Sequence, residues 1–166
     1  MKISGIIFCI LIVLFMSYFL IGIGTIIKNG TSITKAPGTV ARLKLFLSKN
    51  SAETAEESSF PELLPKHIAW NTAEQDQLIE HIINTALSLG YELQKTDKKL
   101  EQASNNKQPL HFTYTTKTFK FTDDLYVNLK TNHDKGFIIH AKSSSRTGRA
   151  DFGANIANIR NLFERL

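Results

Sequence analysis

Residues 3–27, ISGIIFCILIVLFMSYFLIGIGTII, carry no charged side chain. At ~1.5 Å per helical residue, such a run crosses a hydrocarbon layer of ~30 Å with some tilt. This stretch constrains the chain most, because lipid leaves a lone segment no way to satisfy its backbone except as a helix. A cleaved signal peptide is the competing reading, but its apolar core spans only ~7–15 residues. The run is already longer than that before Gly22 and Gly24, which imitate a small-x-small cleavage site. Cys9 follows bulky Phe8, which argues against a lipoprotein signal. The expectation is a retained single-pass anchor, residues 3–27.

Charge beyond the anchor is uneven. Residues 28–49 hold five cations (Lys28, Lys35, Arg42, Lys44 and Lys49) and no acid. Residues 50–106 hold four cations and ten acids, and residues 107–166 ten cations and five acids. The basic flank favours a cytoplasmic domain by the positive-inside rule, and the same cations suit anionic lipid heads. The basic residues are not concentrated into a stripe with interleaved aromatics, so nucleic acid is not an expected partner. The single cysteine precludes an intramolecular disulfide.

Residues 28–59 read as a juxtamembrane linker, first basic and then acidic. Within it, Val40–Leu47 fits either a short strand or a helical turn at the interface. Residues 60–166 read as the folded domain. A helix is expected over 73–89, with Thr72 and Gln75 in capping-box spacing and Gly90 at its end. Leu78, Ile79, Ile82, Ile83, Ala86 and Leu89 give it one apolar face, which needs a sheet to cover it. Tyr91–Lys95 reads as a short strand and residues 96–108 as a polar excursion. Three segments then alternate with period two. Leu110, Phe112 and Tyr114 face inward in the first, Leu125, Val127 and Leu129 in the second, and Phe137, Ile139 and Ala141 in the third. Asn132–Gly136 reads as a hairpin turn. A last helix is expected over about 153–165, with Phe152, Ile156, Ile159, Phe163 and Leu166 on one stripe. The fold class is α+β: a transmembrane helix, then an antiparallel sheet of about four strands flanked by two helices, in the order α-β-β-β-β-α.

The stretch SSSRTGRADFGAN, residues 143–155, is the main candidate for chemistry. It fails the Walker template, because Ala154 and Asn155 stand where Lys and Ser or Thr are needed after the second glycine. It fails the dinucleotide fingerprint for want of a third glycine and a parallel unit. A structural reading fits better. Gly148 permits a turn with positive φ, and Asp151 is placed to cap the last helix. The start of one hairpin strand lies beside the end of the other, so Arg146 can meet Asp123 or Asp124. The same geometry offers a second use. Arg146, Arg149, three serines and a helix start can hold an anion, although Asp151 competes for the same N–H groups. Asp123 and Asp124 point to opposite faces of a strand and cannot form a dyad. His67, His81, His111, His133 and His140 show no metal-ligand spacing. No cofactor and no metal are expected.

The segments FTDDLYVNL (121–129) and IIHAKSSSRTGRADFGANIANIR (138–160) carry a resemblance. The chain resembles the bacterial and plastid family called domain of unknown function 1499, over about residues 60–166. The family pattern falls on Phe121, Asp123 and Asp124, then on Ser143, Ser145, Arg146, Gly148, Asp151, Gly153, Asn155 and Arg160. Many members carry an Asn-x-Cys-x-Ser-Ser segment before the first helix, but the region Asn50–Ser59 has no cysteine. Many also have another residue where Arg149 stands. The resemblance implies an architecture and a candidate site without an activity. Because members often carry export signals, it also implies an envelope or lumenal location, against the basic flank. The expectation adopted is a single-pass protein with its domain on the exported (periplasmic or lumenal) side, acting as a non-catalytic binding domain for a protein or an anionic ligand. Two alternatives stand beside it. One is a hydrolase using Asp123 or Asp124 with Arg146. The other is binding of an anionic lipid or phosphate ligand at loop 143–155.

Overall fold

The computed structural model describes residues 3–30, 32–94, 109–116, 120–132 and 136–166. Helix α1, Ile3–Lys28, is apolar all round and leaves most of its side chains exposed to its surroundings. By length and composition this helix is long and apolar enough to span a membrane. Cys9 lies on its outer surface.

The domain is an α+β unit with a wholly antiparallel sheet. Helix α2 (Thr39–Ser48) leads to strand β1 (Ser51–Glu53), a 3₁₀ turn at Pro61–Leu63 and strand β2 (Lys66–Ile68). Helix α3 (Gln75–Ser88), strands β3 (Glu92–Leu93), β4 (Leu110–Thr115), β5 (Thr122–Asn132) and β6 (Gly136–Ser145), and helix α4 (Ala154–Arg165) follow. The strand order is β1-β6-β5-β4-β3, with β2 also on β6. The sheet therefore has six strands rather than about four. The extra two share one edge of β6 end to end: β1 pairs with Lys142–Ser144 and β2 with Phe137–Ile139. Three-residue strands are too short to show alternation; the ten-residue β6 dictates their pairing. The stretch 28–59, expected as linker, contains α2 and β1, and Phe46 and Ala52 from it are buried in the core. Val40–Leu47 is helical.

The period-two faces fall as the alternation requires. Phe112, Leu125, Val127, Phe137, Ile139 and Ala141 point to the helices and meet Leu78, Ile82, Ile156, Ile159 and Leu162. Burying such side chains contributes roughly 1.5–3 kcal/mol each. The opposite face carries His111, Asp124, Tyr126, Asn128 and His140. Helix α3 is preceded by a 3₁₀ turn, Thr72–Glu74, which Asn71 caps by accepting from the Ala73 N–H at 3.1 Å. The expected cap falls instead on Thr72, whose side chain lies outside the described residues. So do the polar excursion 96–108, Lys95 of the expected strand and residues 133–135 of the expected turn. Gly136 begins β6 with φ +93°, and a Cβ there would collide with the Ile68 carbonyl and the Trp70 backbone. Only glycine allows β2 to lie that close.

Candidate functional site

The joint between β6 and α4 is built from neutral hydrogen bonds around Asn155, which is fully buried. Its amide donates to the Asp151 carboxylate at 2.6 Å, to the Asn50 carbonyl at 2.7 Å and to Ser145 Oγ at 3.2 Å. Its Oδ1 accepts from the buried Ser143 hydroxyl at 2.6 Å. Asp151 accepts from the N–H groups of Gly153 (2.9 Å) and Asn155 (3.0 Å), so it satisfies donors at the start of α4. It does so from two residues before Gly153, which holds the N-cap position with φ +81°. Burial pushes the Asp151 carboxyl above its usual range, and its bonds from Gly153 and Asn155 offset this only in part. Gly148, at φ +95°, turns its carbonyl to the Asn50 amide at 2.8 Å.

Arg146 belongs to the other face. Its guanidinium grips Asp124 with both arms, Nε to Oδ2 at 2.8 Å and Nη2 to Oδ1 at 2.7 Å. His111 Nε2 meets the same Oδ1 at 2.7 Å, and its ring stacks on Tyr126 with centroids 4.4 Å apart. The Arg146 bond, with smaller help from His111, holds the Asp124 carboxyl below the usual range despite burial. Asp123 points the opposite way, to the helix side, where Asn158 Nδ2 donates to it at 3.2 Å. Of the two aspartates, Asp124 is therefore the partner of Arg146. Phe121 is half-exposed at the start of β5.

Arg160 and Phe152 connect the domain to α1. Arg160 donates to the carbonyls of Gly30 (2.7 Å) and Asn29 (2.8 Å), the residues that follow α1. Cations near a helix C-terminus complement its free carbonyls. Phe152, with φ +50°, packs its ring edge-on against Tyr18 with centroids 5.8 Å apart. It also covers Gly22, where an added methyl would come within 2.8 Å of the ring. A cavity of about 440 Å³ opens between the end of α1 and the domain. Lys28, Tyr91, Tyr114, Asp123 and Asn158 line it, together with Arg160. Burial, the Asp123 charge and Tyr114 together push the Tyr91 hydroxyl well above its usual range.

Apart from Phe121, the motif positions thus divide among three places. Ser143, Ser145, Gly148, Asp151, Gly153 and Asn155 form the joint. Asp124 and Arg146 form the open-face ion pair. Asp123 and Arg160 border the cavity. Three contributors carry no sequence signal. Asn50 sits in a polar stretch, and Asn158 is one of several asparagines on α4. Arg42, fully buried on α2, bonds to the Ala36 carbonyl at 2.6 Å and to Glu62 at 2.8 Å. Burial raises Glu62, but the Arg42 guanidinium, a backbone hydrogen bond and the Lys35 charge together hold the carboxyl below its usual range. Among the described residues, no three His, Cys, Asp or Glu side chains gather to hold a metal ion.

A family model described as "Protein of unknown function (DUF1499)" matches residues 42–166. No curated protein and no solved structure matches the chain.

Proposed function

The chain belongs to the DUF1499 family of proteins of unknown function, and on that premise we propose that it is a membrane-anchored, non-catalytic interaction domain on the exported side of an envelope membrane. The observation that carries this reading is the clasp between domain and anchor. Arg160 caps the end of an apolar helix of 26 residues, and Phe152 fills the notch at Gly22. A domain held in this way stays at the membrane surface and presents the same sides to it.

The non-catalytic part rests on how the motif spends its polar groups. Both Asp124 oxygens are engaged by Arg146, and one also by His111, which leaves a poor general base. Asp123 faces away from Arg146, so the hydrolase reading loses its pair. An anion at loop 143–155 would have to displace Asp151 from the N–H groups it occupies. The location rests on the export signals common in the family.

The test uses the full chain with a reporter after Leu166 that is active only outside the cytoplasm. The expected result is a chain that resists carbonate extraction from membranes and an active reporter. Release by carbonate refutes the anchor, and a silent reporter on a membrane-held chain refutes the exported side.

A further inference from the structure

The cavity beside α1 holds an underpaired carboxylate. Asp123 is only 6% exposed, yet among the described residues its side chain accepts one hydrogen bond, from the neutral Asn158 amide. An ionised carboxylate accepts about four bonds, and buried charges are ordinarily met by an opposite charge. Neither arginine of the motif serves it. Arg146 is committed to Asp124 across the sheet, and Arg160 to the carbonyls of Asn29 and Gly30.

The walls beside Asp123 are aromatic. The rings of Tyr91 and Tyr114 are 5.6 Å apart and tilted by 49°, and both border the cavity. A carboxylate that shares a cavity wall with two tyrosine rings favours an organic ammonium group, which can gain from the charge and from an aromatic ring together. A free anion would be repelled by Asp123. The same cavity also carries a cation. Lys28, the last residue of α1, lines it and meets no acid among the described residues. A cavity lined by a carboxylate, two tyrosines and a lysine matches a molecule carrying both an ammonium and a phosphate.

We propose that this cavity binds a phospho-amine zwitterion, its ammonium against Asp123, Tyr91 and Tyr114 and its phosphate at Lys28. This inference rests on the reading of α1 as a membrane span, which puts Lys28 at headgroup depth and makes a phospholipid of the same bilayer the nearest source. At about 440 Å³ the cavity is of the size that takes such a group.

The full chain in maltoside micelles is titrated with phosphatidylethanolamine, with phosphatidylglycerol of the same acyl chains, and with water-soluble glycerophosphoethanolamine, and the thermal midpoint is read. A ligand that binds only the folded state raises that midpoint with concentration. Phosphatidylethanolamine is expected to raise it and phosphatidylglycerol to leave it in place. Asp123→Asn loses the selective rise. Lys28→Gln, an exposed change at the end of α1, shifts the rise to higher lipid concentration, and it serves if Asp123→Asn does not fold. Equal rises from the two lipids, or a selective rise that survives both variants, overturn the proposal. A rise with glycerophosphoethanolamine alone upholds the phospho-amine chemistry and overturns the bilayer as its source. Carbonate extraction run on the same chain keeps the two readings apart. A chain that stays in the membrane while the lipids act alike refutes the ligand and leaves the anchor standing.

Discussion

Asp124 and Asp151 lie at two ends of one motif and are stabilised in opposite ways. Asp124 is held by charge: a two-armed guanidinium and a histidine keep it ionised, and its pKa moves down. Asp151 is held by neutral donors alone, two backbone N–H groups and an amide, and burial moves its pKa up. The ion pair sits where Arg146 is half-exposed, so water screens it and can replace it. The hydrogen-bond network centres on the buried Asn155 and Ser143, so its groups depend on one another more than on water. The fold therefore relies on the hydrogen-bonded joint around Asn155 more than on the salt bridge.

The strongest way to break that contrast is at Asn155. Asn155→Ala takes the acceptor from the buried Ser143 hydroxyl and the amide donor from Asp151, while the Asn50 carbonyl keeps the Ser145 N–H, and the expected loss is ~2 kcal/mol. Chemical denaturation of the full chain in micelles checks it, and an unchanged midpoint would contradict the network's role. Next comes Asp151→Ala, which removes acceptors from the start of α4 and is expected to cost about 1 kcal/mol. A neutral result in the same assay would reject the cap.

The pH dependence sharpens the comparison through its sign. A carboxyl with a lowered folded pKa adds stability above its unfolded value, ~4, and loses it as the pH falls through the folded pKa. Asp124 is this case, so Asp124→Asn removes part of the loss on the acid side. A raised folded pKa does the reverse. The stability tied to Asp151 is present below ~4 and declines as the pH rises through its folded pKa. Asp151→Asn flattens the profile on that higher side. Melting curves from pH 3 to 8 distinguish the two, and changes of the same sign in both variants would undo the assignment. The smallest effect is expected from Arg146→Ala. The Asp124–His111 contact remains, so the melting temperature falls by less than in Asp151→Ala. A larger fall would mean that the ion pair carries the joint after all.

Much of this arrangement is legible in the sequence because it follows local periodicity. The inward residues of β4, β5 and β6 alternate as written, and the α3 face at Leu78 and Ile82 follows helical spacing. Hairpin geometry brings Asp123 and Asp124 near Arg146, although only the structure selects Asp124, and Asp151 stands where a helix cap is needed. The rest depends on partners far along the chain. Strands β1 and β2 exist because β6 offers them an edge, and nothing in SAE or KHI announces it. Helix α2 looks like linker because it buries a charged residue, Arg42, whose partner Glu62 lies 20 positions on. Asn50 reaches the joint from 95 positions away, and a lone asparagine in a polar stretch gives no hint of that. The cavity is hidden for the same reason, since its walls come from α1, β4, β5 and α4 together.

Amide hydrogen exchange over the first turn of α4, residues 154–158, separates the two halves of the motif when it is compared in the wild-type chain, Arg146→Ala and Asn155→Ala. If the buried neutral network holds the joint, protection there survives Arg146→Ala and collapses in Asn155→Ala. Protection lost in Arg146→Ala and kept in Asn155→Ala would contradict the account.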